Sequence, residues 1–144
     1  MLPEAIQLVV VTPERQLLRE TVVEVDIPGG EGQLGILPGH APLMTEVGIG
    51  ALSYRSSASS QPVTLAVIQG FAEVLPDRVT VLAETAERAE EIDVERAQRA
   101  KQRAEDRLKN VTATDIDFER ARAALMRSLA RLQAAGHMKG EPLA

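Results

Sequence analysis

The side chains best suited to chemistry in this chain are arginines in its last third. Arg96, Arg99 and Arg103 recur at steps of three and four, and Arg127 and Arg131 form an i, i+4 pair. Such spacings set each group on neighbouring turns of a helix. Guanidinium forks grip carboxylate or phosphate oxygens two at a time, and several facing one groove repel each other until an anion fills it. Spacing alone leaves two readings open. One is a set of ordinary helix-face ion pairs, such as Asp93 or Glu95 with Arg99, each worth roughly a few tenths of a kcal/mol. The other is an anion clamp. Catalytic arrangements are missing: there is no Gly-rich phosphate loop of the Walker kind and no Gly-x-Ser-x-Gly elbow. The two histidines, His40 and His137, have no partner at ligand spacing. His40 follows Pro38-Gly39 and reads as a turn or contact residue, and His137 lies in a frayed tail. Glu24 and Asp26 alternate with apolar residues and read as a solvated strand face. With no cysteine, disulfides, thiolate metal sites and thiol redox chemistry are excluded. The expectation is a non-catalytic chain with no metal and no required cofactor.

Two kinds of element must position these groups. Residues 1–83 hold four arginines, no lysine and nine acids, whereas residues 84–144 hold twelve basic and twelve acidic residues. All but two of the glycines and all but one of the prolines lie before residue 84. In the first part Ile6, Leu8 and Val10 alternate with other residues, as do Val23, Val25 and Ile27, then Val63, Leu65 and Val67, then Val79, Val81 and Ala83. Period-two patterns bounded by Pro, Gly and Asp predict short strands of a sandwich or barrel. The segment 29–43 carries five glycines and two prolines and reads as an irregular loop with an apolar surface from Leu34, Ile36, Leu37 and Leu43. It either folds over its own sheet or contacts another protein.

From Glu84 to Asn110 there is no Gly or Pro, which predicts a first helix about 40 Å long at roughly 1.5 Å per residue. Ala97, Ala100, Ala104, Leu108 and Val111 form one stripe on it. After the β-branched link Val111–Thr114, Thr114 or Asp115 caps a second helix whose stripe is Phe118, Ala121, Leu125, Leu129 and Leu132, and Gly136 ends it. The short link makes the helices antiparallel. An alanine seam buries little apolar area, so the hairpin is expected to be separable. The class is therefore α+β: an all-β domain over 1–85 and a helical hairpin with a short flexible tail over 86–144. A formal charge of −5 and only three aromatic residues argue against nucleic acid. The start, Met1-Leu2-Pro3-Glu4, lacks a signal-peptide pattern, and no apolar run approaches the ~20 residues that span a bilayer. A cytoplasmic chain that meets a membrane only through a partner is expected.

Three ordered motifs carry a resemblance that covers both parts of the chain: Gly32-Gln33-Leu34-Gly35-Ile36-Leu37-Pro38-Gly39-His40-Ala41-Pro42-Leu43, Gly70-Phe71-Ala72-Glu73-Val74, and Ala86-Glu87-Arg88-Ala89-Glu90-Glu91-Ile92-Asp93. The chain resembles the epsilon-subunit family of the bacterial, F-type rotary ATP synthase. It departs from the family pattern at Gln33, where an acid is usual, and at Gln69, where a second glycine is usual. The resemblance implies a ten-stranded β-sandwich that binds the gamma subunit of the central stalk. It implies that the loop region of Glu31, Gln33, Leu34, Ile36, Leu37, Pro38, Gly39 and His40 faces the ring of c subunits. The hairpin is then a regulatory element that folds down on the sandwich or extends into the alpha–beta catalytic hexamer, where it inhibits ATP hydrolysis. The setting implied is the cytoplasmic side of a bacterial inner membrane, with the subunit peripheral to it. Relatives of this family can hold ATP as a regulatory ligand in the folded-down state. On that pattern Arg96, Arg103, Arg127 and Arg131 engage phosphates, Glu87 and Asp93 hold the adenosine or fix the arginines, and Ile92 and Ala97 meet the base. The competing reading is a free-standing ATP-sensing adaptor.

Overall fold

The structure, a computed structural model, describes residues 2–110 and 115–136. Seven strands form one sheet: β1 Ile6–Val11, β2 Gln16–Val22, β3 Glu24–Gly29, β4 Gly32–Ile36, β5 Leu43–Arg55, β6 Val63–Leu75 and β7 Arg78–Arg88. Their spatial order is β2-β1-β7-β6-β5-β3-β4, with β1 parallel to β7 and every other pair antiparallel. A short 3-10 turn (Ala89–Glu91) leads into two helices, α1 Val94–Lys109 and α2 Asp115–Ala134.

One core takes side chains from all seven strands, including Ile6, Leu8, Val22, Ile27, Ile36, Leu52, Val67 and Val79. A flat sheet has two faces and cannot gather every strand around a single core, so this sheet folds on itself. The crease is legible in which residues point inward. In β6 the core residues are Leu65 and Val67, then Ala72 and Val74. In β7 they are Val79, Val81 and Ala83, then Ala86. In β5 they are Val47, then Leu52 and Tyr54. The period of two breaks in all three strands at one level, where Gly48, Gln69 and Glu84 drop out of otherwise continuous ladders. Gln69 has φ 49 and Gly70 has φ 156 there, and a Cβ on Gly70 would lie 2.9 Å from the Ala83 Cα.

The crease corrects the expectation of ten strands. Among the described residues there are seven, because β5, β6 and β7 each cross the fold without losing their hydrogen-bonded identity, and each serves both layers of the sandwich. Segment 29–43 is also more regular than expected. Residues 32–36 form β4, whose register with β3 runs from Val25↔Ile36 to Gly29↔Gly32. Ile36 is fully buried and Leu34 packs on the core. Only the 37–42 portion is irregular. There the Gly39 N–H donates to the Pro76 carbonyl (2.8 Å), and the His40 Nδ1 lies 2.7 Å from the Ala41 carbonyl oxygen.

The first helix is shorter than expected. Residues 84–88 are helix formers by composition, yet they complete β7, with Glu87 opposite Ala66 and Arg88 opposite Leu65. Cross-strand pairing overrides propensity there, and α1 starts at Val94. Asp93 caps it by accepting from the Arg96 N–H at 3.0 Å. The hairpin is folded down: α2 lies on β5 and β6. Its small core joins Ala130 and Ala134 to Ala66 and Ile92, with Ile49 and Ala135 against them. Outside that core the buried residues of the two helices are Ala97, Ala104, Ala121, Ser128 and Leu132. Phe118, expected on the seam, is 42% exposed, and Leu125 and Leu129 are only half-buried. Gly136 ends α2 at φ 83, as expected. Val111, the link 111–114 with its cap, and His137 lie outside the described residues.

Candidate functional site

A groove of about 490 Å³ runs between the two helices and over the end of β7. The fold assembles it from three places. The last strand delivers Glu87, the cap of α1 delivers Asp93, and facing turns of the antiparallel helices deliver the arginines. Alanines at 97, 100, 104 and 124 line its floor. Their small side chains leave room that a leucine seam would fill.

The groove gathers Glu87, Asp93, Arg96, Ala97, Arg103, Arg127 and Arg131, residues that lie up to 44 positions apart in sequence. Ile92 does not join them. Its side chain is buried in the small core beneath α2 and is not part of the groove lining. Arg99, which the spacing grouped with Arg96 and Arg103, is exposed and outside the groove. Sequence reasoning missed Arg107, Glu91 and Ser128, which also line it. Arg107 was findable, since it follows Arg103 by four and so stays on the same stripe.

The charges are unevenly satisfied. Arg131 Nε donates to Glu87 Oε1 at 2.7 Å, tying α2 to the end of β7, with both side chains largely shielded. Glu91 accepts from Arg15 at 2.5 Å, tying the β1–β2 turn to the entrance of the hairpin. Asp93 is engaged as the helix cap. That commits all three carboxylates of the groove. Arg96, Arg103, Arg107 and Arg127 have no acidic partner among the described residues. Four arginines on one groove, without an acidic partner among the described residues, form an anion-attracting lining. Among the described residues no group of His, Cys, Asp and Glu could hold a metal ion.

A second surface lies on the other half of the sandwich. Phe71 and Leu82 are cross-strand neighbours on its outer face and each is 55% exposed, with Met44 nearby on β5 at 65%. Before and at the start of β4, Glu31 and Gln33 are exposed at the β3–β4 turn. Leu37 is 60% exposed beyond β4, and Pro38, Gly39 and His40 are half-buried in the turn that follows. Ile36 faces the core. No helix among the described residues is long and apolar enough to cross a membrane.

Two family models match the chain in succession: the beta-sandwich domain of the ATP synthase Delta/Epsilon chain over residues 5–89, and its long alpha-helix domain over residues 90–136. An ATP synthase epsilon chain of Solibacter usitatus is 48% identical over 134 residues, covering 93% of this chain and 98% of the relative. One from Nitratidesulfovibrio vulgaris is 46% identical with the same coverage. Among solved structures, a chain of the Euglena gracilis mitochondrial ATP synthase superposes with a TM-score of 0.79 at 24% identity, covering 95% of this chain and 84% of that one. A chain of the Tetrahymena thermophila mitochondrial ATP synthase central stalk and c-ring superposes at 0.58 with 13% identity, covering 90% and 96%. These two share the fold. With both halves matched in order and relatives near half identity along almost their whole length, the chain belongs to the ATP synthase epsilon-chain family, a non-catalytic subunit of that complex.

Proposed function

We propose that this chain joins the central stalk of a proton-translocating ATP synthase, linking the gamma subunit to the ring of c subunits. In this reading its hairpin restrains ATP hydrolysis by reaching toward the alpha–beta hexamer, and ATP in the interhelical groove holds the hairpin down instead. The exposed Phe71–Leu82 face is the surface offered to gamma, and the segment bearing Glu31, Gln33 and Leu37 is offered to the c-ring. The subunit then sits peripherally on the cytoplasmic side of a bacterial inner membrane. One observation carries the ATP reading: four groove arginines without acidic partners among the described residues, on two helices whose alanines line the space between them.

Arg96, Arg103 and Arg127 would grip phosphates, and Glu87 with Asp93 would orient the adenosine end. Arg131 has a double task, since it is already held by Glu87. An anion that binds only the folded-down hairpin favours that state by RT ln(1 + [L]/Kd), about 2.7 kcal/mol at a hundredfold excess over Kd. That is enough to move a two-state element poised within a few kcal/mol of balance. The test uses the absence of native cysteine. Labels at Glu73→Cys and Arg122→Cys should draw together as ATP is added. Arg127→Ala with Arg131→Ala should weaken ATP binding by about a hundredfold, as expected for losing two charge-assisted contacts. Unchanged affinity in the double variant would remove the site.

A further inference from the structure

The groove is chemically polarised along its length. Glu87, Glu91 and Asp93 all sit where the hairpin joins the sandwich, and each is already engaged by Arg131, Arg15 or the Arg96 N–H. Past Ala97 no acid lines the groove among the described residues. Its charged lining there is Arg103 and Arg107 from α1 and Arg127 from α2. Arg107 stands one turn beyond Arg103, about 6 Å further along the axis at ~1.5 Å per residue. Ala104 and Ala124 at that level keep the space between the helices open.

Because Arg107 stands one turn past Arg103 on the same lining, a phosphate chain that enters from the carboxylate end and passes Arg103 and Arg127 has Arg107 ahead of it. We propose that Arg107 reads the number of phosphates: it holds the terminal phosphate of a triphosphate chain and sets the preference for triphosphate over diphosphate. The inference rests on the nucleotide reading of the groove and adds a specificity-determining residue to it. A purely structural role for Arg107 exists, because a cation in the last turn of α1 favours the helix dipole. That role is blind to phosphate number.

The test titrates the full chain with ATP, ADP, inorganic tripolyphosphate and pyrophosphate. Arg107→Ala should weaken ATP and tripolyphosphate about tenfold while moving ADP and pyrophosphate less than about twofold. Arg107→Lys, which keeps charge but loses the fork, should fall between. Arg99→Ala removes the same charge from α1 outside the groove and should change nothing. Helix content by circular dichroism confirms that each variant is folded. Equal weakening of ATP and ADP would make Arg107 a helix-stabilising residue, and parity with Arg99→Ala would make it idle; either overturns the proposal. If the native chain ignores ATP yet separates tripolyphosphate from pyrophosphate through Arg107, the nucleotide reading falls and the phosphate-counting role stands. If the native chain binds ATP and ADP equally well, the nucleotide reading stands and the phosphate-counting role falls. Failure to bind any of the four overturns both.

Discussion

The sandwich and the hairpin are held by different side chains, and the difference assigns them different mechanical roles. The sandwich buries Ile, Leu and Val from every strand around one core, many of them with no exposed surface. The hairpin meets the sandwich through Ala66, Ala130, Ala134, Ala135, Ile49 and Ile92, and the remaining buried residues of its helices are three alanines, Ser128 and Leu132. Hydrophobic stabilisation scales with apolar area removed from water. The platform is therefore the more firmly held unit, and the hairpin is the more weakly attached one. Polar links reinforce the contrast. The hairpin is pinned at its base by Arg131–Glu87 and Arg15–Glu91, both at the sandwich end. The arginines nearer its turn are left without acids among the described residues.

The largest expected effect tests the platform. Leu65→Ala, at a residue 1% exposed, should lower global stability by about 3 kcal/mol in chemical denaturation. A much smaller loss would mean that the core is not the main source of rigidity. Next comes the attachment. Ala130→Leu forces bulk into a fully buried contact between α2 and the sheet and should cost about 1–3 kcal/mol. Hydrogen exchange should show that cost as lost protection in α2 with the strands unchanged. Loosening of strand amides as well would merge the two regions into one cooperative unit.

A smaller effect sits on the crease. Gln69 adopts a left-handed backbone, a conformation that costs a non-glycine residue about 1 kcal/mol. Gln69→Gly should stabilise the sandwich by about 0.5 kcal/mol, part of the relief being offset by glycine's greater freedom when unfolded. Destabilisation would show that the Gln69 side chain makes a compensating contact. The subtlest test is a titration. Burial, then Glu24, pushes the Asp26 carboxyl above the usual carboxylate range, opposed by a Ser53 hydrogen bond and Arg55. A carboxyl whose pKa is raised by folding stabilises the fold below that pKa and loses the contribution as pH rises through it. Asp26→Asn should therefore be more stable than the native chain at neutral pH, with the gain vanishing as pH falls through the carboxylate range. A gain that persists in acid would point to packing instead of charge.

Much of this was legible in the residues, and the omissions have physical causes. Alternation exposed β1, β3, β6 and the first half of β7. It hid β2, where Leu17 and Leu18 are buried in succession, and β4, whose glycines imitate a loop. Helix-forming residues at 84–88 disguised the end of β7, because their pairing with β6 is a long-range fact. The groove was readable as arginine spacing, but spacing could not say that Arg99 points away from it or that Arg107 joins it. The Ile92 side chain packs away from the groove lining for a related reason: adjacency to Asp93 in sequence does not put both on one surface when a chain is leaving a turn to enter a helix.

The aligned break in β5, β6 and β7 has a consequence for how this chain tolerates changes of length. Each of these strands changes its inward phase at the same level, so the three are indexed to one another like teeth on a common rack. Adding or deleting one residue in any of them would invert every side chain between that point and the next turn. The neighbours could not follow, since their own phase is set. Extra residues belong instead in the serine-rich connection 56–61 between β5 and β6, the place to insert a reporter without disturbing either layer.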